Sequence, residues 1–450
     1  MRLLLIGFVV CGVMMGDVRP AWAQTATDPP RVTGGLFGGR RPVDPNHPDR
    51  SSQQVTFDLD LAGGYDQNLG IDEGTLANSG VQQSGAIGTA NGEFGYRVGT
   101  SQNYLNSSAR ANTSFAAEGV QQLGAGEAQL QTAIRMGRRA ALAAGVTLAY
   151  EPTYLFNAFG GLTTDTPDGV VPGASLTEGF TEQRWLAARG FGSVHRNWTP
   201  RQRTDVGYGQ SQRKPVTGEG LDSNSRSASL RHDWSYRPTA TLQFSYQYDE
   251  NQQVGDTAEP LPLRTHRAVA GMHLEHRLGP NRAVAFNFAG GATRSRTRQT
   301  EETNSVEFTV PSGAGGIQLR LSERWSFSLD VNRSVTVLEG LSPQPFNTNA
   351  ASLVAEARFG RSVLVNATGA YARGAASFGN TGAFQTSLAS TELRYQVSRG
   401  WALTTVYSYY DHILSDVEAV QSGFPSRHRR NSVRLGVSIW LPLFGSFRDN

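Results

Sequence analysis

The sequence predicts an all-β fold, an antiparallel up-and-down barrel of about 18 strands, and three observations support this. Apolar and polar residues alternate over stretches such as 55–62, 240–248, 325–332 and 401–409, and a period of two is typical of strands with one apolar face. Glycine is abundant, with 51 residues among 450, and long helix-forming runs are absent. Short arginine-containing turns alternate strictly with longer polar loops, as a series of hairpins requires.

The turns and loops set the strand count. Eight short turns, including MGRRAAL and FGRSVLV, separate nine longer polar segments. This alternation gives 18 strands, and merging one hairpin would give 16 as the alternative. The longer segments lie at residues 67–84, 119–125, 157–178, 213–224, 250–263, 298–304, 339–349, 376–383 and 413–429.

The length of the strands indicates a membrane-spanning barrel. They run for about ten to sixteen residues, whereas soluble strands average about five or six and membrane strands need about 9–11. The sequence contains no internal apolar run of about 18 residues that would form a transmembrane helix. Only a closed barrel pairs every backbone amide in lipid, with apolar side chains outward and polar side chains inward. The alternative is a secreted all-β protein.

Aromatic residues gather near both ends of the predicted strands, as in the two girdles of membrane barrels. Near the short turns, which we expect on the periplasmic side, lie Tyr96, Tyr236, Trp325, Tyr395 and Trp401. Near the longer loops, which we expect on the extracellular side, lie Tyr154, Phe156, Tyr208, Tyr246, Tyr248, Tyr371, Tyr407 and Tyr409.

The amino terminus has the features of a secretory signal. Arg2 precedes an apolar core, and Ala21-Trp22-Ala23 forms an A-x-A cleavage site, so residues 1–23 are expected to be removed after Ala23. The single cysteine, Cys11, lies within this signal. The mature chain is therefore expected to lack disulfides and thiolate metal sites.

The rest of the chain divides into three predicted parts. Residues 24–52 are rich in proline and glycine and are expected to form a disordered periplasmic lead-in. Residues 53–447 form the barrel, and residues 448–450 form a polar tail. The last strand, within NSVRLGVSIWLPLFGSF, is expected to pair with the strand at Trp401 and with the first strand at Val55, which closes the barrel and leaves no edge.

The polar face of each strand is assigned to the lumen. A hydrated pore whose opposed charges select solutes by charge and size is one interpretation, and a wall braced by arginine–carboxylate ladders is the other. The charged residues predicted to line the pore are Asp58, Asp60, Glu93, Arg110, Glu127, Arg135, Arg203, Asp205, Arg231, Asp233, Arg267, Glu275, Arg320, Asp330, Glu356, Arg358, Glu392, Arg394 and Arg434.

The sequence gives no positive indication of an enzyme. His232 and Asp233 are adjacent and so face opposite sides of a strand, whereas His273 and Glu275 share the predicted inner face. Nothing places a serine beside either histidine, and the sequence contains none of the H-E-x-x-H, G-x-S-x-G, P-loop or calcium-loop motifs. We therefore predict no catalytic residues, no cofactor and no metal site.

A barrel of this size is wide enough to leave an aqueous channel unless something fills it. Few residues precede the first strand, which argues against a separate plug domain. The long segment 157–178 could fold inward as a constriction or extend outward as a surface loop.

The arginine-marked hairpins YRPTATLQFSYQYDEN, LSERWSFSLDVNRS and VSRGWALTTVYSYYDH, with the closing RNSVRLGVSIWLPLF, resemble the β-barrel porin 2 family over roughly residues 55–444. The resemblance implies a Gram-negative outer-membrane barrel, sometimes associated with exopolysaccharide export, and no catalytic residues. The closing strand also resembles a barrel-assembly signal, although Phe447 is followed by three polar residues.

These observations predict a porin-like outer-membrane channel for small solutes or envelope polysaccharide. The alternative is a non-conducting barrel that serves a surface-polysaccharide export system as a scaffold or binding component. Expected partners are outer-membrane lipid, lipopolysaccharide, the barrel-assembly machinery and polysaccharide-export proteins. A formal net charge of +3 with balanced acidic and basic residues gives no reason to expect nucleic acid.

Overall fold

The structure is a computed structural model of the chain. It describes residues 52–67, 84–99, 103–116, 123–152, 184–216, 222–255, 258–297, 305–322, 324–337, 345–377, 382–415 and 427–445. The expected signal, the lead-in, the segment 157–178 and the tail at 448–450 lie outside these residues, apart from Ser52.

Eighteen antiparallel strands form one closed sheet, which confirms the predicted fold class and the higher strand count. Each strand pairs with its neighbours in sequence, and β1 pairs with β18. In the part of the chain that the structure describes, no helix has the length and apolarity needed to cross a membrane. The strands are β1 (Ser52–Gln67), β2 (Ser84–Gly99), β3 (Tyr104–Ala116), β4 (Leu123–Met136), β5 (Ala140–Pro152), β6 (Arg184–Thr199), β7 (Gln202–Pro215), β8 (Asp222–Arg237), β9 (Ala240–Gly255), β10 (Ala258–Gly279), β11 (Arg282–Thr297), β12 (Val306–Arg320), β13 (Trp325–Val337), β14 (Pro345–Phe359), β15 (Val363–Ala376), β16 (Ala383–Gln396), β17 (Trp401–Ser415) and β18 (Arg427–Gly445).

The barrel closes between its first and last strands, as the sequence predicts. In this seam Leu59 lies opposite Ile439 and Asp66 lies opposite Ser432. The other side of β18 pairs with β17, where Trp401 lies opposite Ile439. No free edge remains at the chain ends, so the ladder of backbone hydrogen bonds continues around the sheet.

Short connections join the strands at one end of the barrel, which we call the turn side, and the other nine connections meet at the loop side. Glycine permits two of the tight turns, because Gly137 has a φ of 77° and Gly360 a φ of 65°. The predicted loop at 250–263 is wrong, since β9 continues to Gly255 and β10 begins at Ala258. The polar sequence there led to the error, because strands that extend into water need no apolar alternation.

The outward face of the sheet carries an apolar belt. Leu435 is 62 % exposed, Leu148 57 % and Leu403 51 %, although all three lie within long strands. Aliphatic side chains this exposed require a lipid environment rather than water.

Exposed aromatic side chains border this belt near both ends. On the turn side, Trp401 and Tyr395 are exposed at the start and end of adjacent strands, and the Arg196 guanidinium lies 4.2 Å from the Trp198 ring centroid. Tyr246 and Tyr407 are exposed towards the loop side. Tyr154 and Phe156, which the sequence assigns to the same girdle, lie outside the described residues.

Candidate functional site: the inner wall

The inner face of the barrel is identified by the burial of alternate residues. In β18, Val433 and Leu435 are exposed, whereas Ser432 and Arg434 are buried. Side chains on the concave face shield one another, so the buried series points inward. Following the register from strand to strand places every predicted pore-lining residue on the inner face. That these side chains line a conducting path stays a prediction.

The turn-side half of this inner face, which we call the turn-side wall, is lined by ion pairs within single strands. Arg203 Nη2 lies 2.6 Å from Asp205 Oδ1, and Arg394 Nη2 lies 2.7 Å from Glu392 Oε1. In each case the two residues are two positions apart, because that spacing returns a strand to the same face. The other within-strand pairs are Arg231–Asp233, Glu275–Arg277 and Glu356–Arg358.

Ion pairs between strands are less frequent on the turn-side wall of the described barrel. Arg110 on β3 reaches Glu93 on β2, with 3.1 Å between Nη2 and Oε2. The sequence predicted opposed charges on neighbouring strands and a field across the pore. The structure instead neutralises nine of the nineteen predicted charges along their own strand, so the fields of these nine are short-ranged and contribute little to bracing one strand against the next.

Water reaches the ion pairs of the turn-side wall. The side chains of Arg358 and Glu356 are 35 % and 40 % exposed, and those of Arg110 and Glu93 are 27 % and 42 % exposed. Inner-face charges with this exposure indicate a hydrated interior at the turn-side end of the barrel.

The loop-side half of the inner face on β14 to β18, which we call the loop-side wall, is buried. Phe346, Phe384 and His412 are at most 1 % exposed. The Phe346 and Phe384 rings meet edge to face at 5.3 Å, and the His412 ring stacks on Phe384 and on Tyr410. His412 Nδ1 also lies 2.6 Å from the Thr386 hydroxyl. This wall is buried and combines aromatic rings with polar groups, in contrast to the hydrated turn-side wall.

A buried ion pair joins the two strands of the barrel seam within the same region. The Arg430 guanidinium on β18 donates to both carboxylate oxygens of Asp66 on β1, at 2.9 and 2.6 Å. The side chains are 5 % and 0 % exposed, and Arg434 Nη2 lies 3.9 Å from the same carboxylate. The sequence predicted an inward Arg434 but missed its two neighbours. Asp66 continues the alternating series of Asp58 and Asp60, which was the available signal.

The two candidate catalytic histidines of the sequence, His232 and His273, each contact a neutral side chain. His232 faces outward, where its Nδ1 lies 3.0 Å from the Thr204 hydroxyl, while Asp233 faces inward and pairs with Arg231. His273 faces inward, but its Nδ1 contacts the Asn287 side-chain oxygen at 2.5 Å. Neither histidine forms a catalytic dyad with the carboxylate beside it in sequence.

No family model matches the sequence, and no curated protein matches it. Among solved structures, the chain is similar to Pseudomonas aeruginosa OccK11 (OpdR), with 13 % identity over 88 % of this chain and 96 % of that chain and a TM-score of 0.44. It is similar to Pseudomonas aeruginosa OccK2 (OpdF) in complex with glucuronate, with 10 % identity, coverage of 87 % and 98 %, and a TM-score of 0.45.

A third similar structure is the ferric-catecholate import receptor Fiu of E. coli, with 7 % identity over 86 % of this chain and 81 % of that chain, and a TM-score of 0.42. Scores this low do not distinguish one barrel function from another. The strand pairing itself shows that the chain is a closed, antiparallel barrel of 18 strands.

Proposed function

We propose that this protein is an outer-membrane channel for small polar solutes. The observation that carries the proposal is the turn-side wall, where ion pairs face the interior of a closed barrel and remain in contact with water. A close-packed protein interior would bury such groups or exclude them, because an ion loses several kcal/mol of solvation when it is removed from water.

The outer surface of the barrel supports a location in the outer membrane. The apolar belt and its aromatic borders suit a bilayer, and barrels of this kind belong to outer membranes. The expected signal at residues 1–23 would deliver the chain to the periplasm. On this proposal the tight turns face the periplasm and the nine loop-side connections face the exterior. The resemblance of the hairpins to the β-barrel porin 2 family supports membership of that family.

The arrangement of the charges limits the selectivity. Because arginines and carboxylates neutralise each other two residues apart, β7, β8 and β16 present no patch of one sign to the interior. We therefore propose a channel that discriminates mainly by size and only weakly by charge. Envelope polysaccharide as the solute, or a scaffold role in its export, rests on the family resemblance alone.

Single-channel recording of the folded barrel in planar bilayers tests the channel function. We expect discrete conductance steps with a permeability ratio for potassium over chloride near one. Heat-modifiable migration on a gel confirms folding in the same preparation. A folded barrel that gives no conductance at any voltage contradicts the proposal, and capture of periplasmic export proteins that depends on residues 24–52 would then favour the scaffold role.

A further inference from the structure

Several outward-facing arginines near the loop side have a carboxylate partner on the adjacent strand. Arg264 pairs with Glu250 on the adjacent strand, and Arg294 pairs likewise with Glu307 across β11 and β12. Arg427 and Arg429 of β18 both approach Asp411 of β17. The outer surface at these points is therefore largely neutralised.

Arg333 and Arg373 differ from these residues. Both are exposed and both flank Asn349 in the register, since Arg333 of β13 lies opposite Asn349 of β14, which lies opposite Arg373 of β15. Adjacent strands lie about 5 Å apart, so the two arginine backbones are separated by about 10 Å. No ion pair engages either guanidinium among the described residues, and the outward faces of β13, β14 and β15 carry no acidic side chain within those ranges.

A cavity of about 370 Å³ adjoins this row. Its lining includes Asn347, Asn349, Arg373 and Ser377. The Asn347 side-chain oxygen and the Ser377 hydroxyl are both buried and have no hydrogen-bond partner among the described residues. Buried polar atoms are ordinarily paired, so these two atoms show that the hydrogen bonding beside the cavity is incomplete.

An interruption of the barrel wall accompanies the cavity. The β12–β13 ladder ends where Gly313 lies opposite Arg333, although both strands continue beyond that point towards the loop side. Pro311 lies just past the interruption and has no backbone N–H to donate, which explains why pairing stops there. Val310, from the segment of β12 that pairs with β11 but not with β13, forms one side of the cavity.

We propose that the row Arg333–Asn349–Arg373 and the adjoining cavity bind the phosphorylated sugar headgroup of an outer-leaflet glycolipid. Guanidinium groups bind phosphate oxygens through charge-assisted hydrogen bonds. The exposed Asn349 amide, between the two arginines, can donate to and accept from sugar hydroxyls. The apolar belt begins directly below, at Tyr371 and Leu353, where acyl chains would lie. The assignment rests on the proposed outer-membrane location.

The test compares the folded full barrel with its Arg333→Gln/Arg373→Gln variant by native mass spectrometry in titrations with bisphosphorylated lipid A. We expect the variant to bind at least about tenfold more weakly, since hydrogen bonds to charged groups exceed the free energy of one tenfold step. Arg294→Gln/Arg427→Gln is the matched control, because it removes two outward positive charges that already have carboxylate partners. We expect its affinity to stay within about threefold of the parent.

Two further probes identify the ligand. Dephosphorylated lipid A should bind the parent barrel weakly, with an affinity similar to that of bisphosphorylated lipid A for the Arg333→Gln/Arg373→Gln variant. Soluble glucosamine 1-phosphate, which lacks acyl chains, should not bind the parent measurably. Equal losses in the two double variants, no effect of removing the phosphates, or tight binding of the soluble sugar would each overturn the proposal. Conductance measured on the same preparations tests the channel function separately. Failure of the lipid-binding proposal would therefore be distinguishable from failure of the channel proposal.

Discussion

Two ion pairs of the same chemistry occupy different surroundings in this barrel. Arg430 and Asp66 join the seam strands with side chains that are 5 % and 0 % exposed. Arg358 and Glu356 lie on the turn-side wall with side chains that are 35 % and 40 % exposed. The distances are similar, with a shortest separation of 2.6 Å in the seam and 2.9 Å on the wall. Geometry alone therefore cannot rank their contributions.

Access to water determines the difference between these pairs. On the turn-side wall, water solvates each charge whether or not its partner is present, so such a pair contributes about 0–1 kcal/mol. At the seam neither charge has water to replace its partner, and removing one leaves a buried ion without its hydrogen-bonded partner. The second arginine, Arg434, is too distant from the Asp66 carboxylate at 3.9 Å to replace the two hydrogen bonds. We therefore expect the seam pair to favour closure between these two strands.

The largest expected effect is that of Arg430→Gln. This change leaves the buried Asp66 carboxylate without its bidentate donor, which destabilises the folded barrel by about 3–5 kcal/mol. The measurement is the urea midpoint of unfolding in lipid vesicles, followed by the loss of heat-modifiable migration.

Glu356→Gln is the matched control for the seam variant, with an expected loss of at most about 1 kcal/mol. The double variant Asp66→Asn/Arg430→Gln should lose less stability than Arg430→Gln alone, because the buried carboxylate charge is removed together with its bidentate donor. Equal losses for Arg430→Gln and Glu356→Gln would show that burial does not separate the two regions.

Thr386→Val is expected to have an intermediate effect. Thr386 and His412 are both fully buried, and the hydroxyl lies 2.6 Å from His412 Nδ1. Valine keeps the shape of threonine but removes the hydrogen bond, and a buried polar group left without its partner costs about 1–3 kcal/mol. The same urea titration measures the loss.

Thr391→Val serves as the control for this prediction, since Thr391 lies on the same strand but is exposed on the outward face. We expect no loss of stability there. If both variants unfold at the parent midpoint, the Thr386 hydroxyl does not contribute to the packing of the loop-side wall.

The sequence predicted the strands and their faces because both depend on a local pattern. Alternation along 55–62 or 325–332 needs only neighbouring residues, and the register then carries each face around the barrel. The seam pair could not be predicted in this way. Asp66 and Arg430 are 364 positions apart, and their contact exists only because the sheet closes.

The sequence also did not predict the buried aromatic residues of the loop-side wall, for a different reason. Phe346 lies in a segment predicted as a loop, and Phe384 directly follows another such segment, because their neighbours are polar. In the structure both belong to strands and meet edge to face on the inner side. An inner face that changes from hydrated ion pairs to buried aromatic rings along its length departs from the simple rule of a polar lumen, and no local pattern indicates where the change occurs.

The smallest expected effect, that of Arg394→Ala, tests the turn-side wall as the lining of a channel. The change frees the Glu392 carboxylate, which Arg394 contacts at 2.7 Å, and the side chains are 25 % and 24 % exposed. Two unit charges about 4 Å apart interact by about 1 kcal/mol in water, so one unpaired carboxylate should raise the permeability of cations over anions about two- to fivefold. The reversal potential in a salt gradient measures the ratio. The shift should shrink as ionic strength rises, because screening shortens the reach of an exposed charge.

Arg373→Ala removes the same charge from the outer face and should leave the reversal potential unchanged. A shift of equal size in both variants would mean that the charge acts from outside the lumen, and no shift in either would place the ion path away from Glu392.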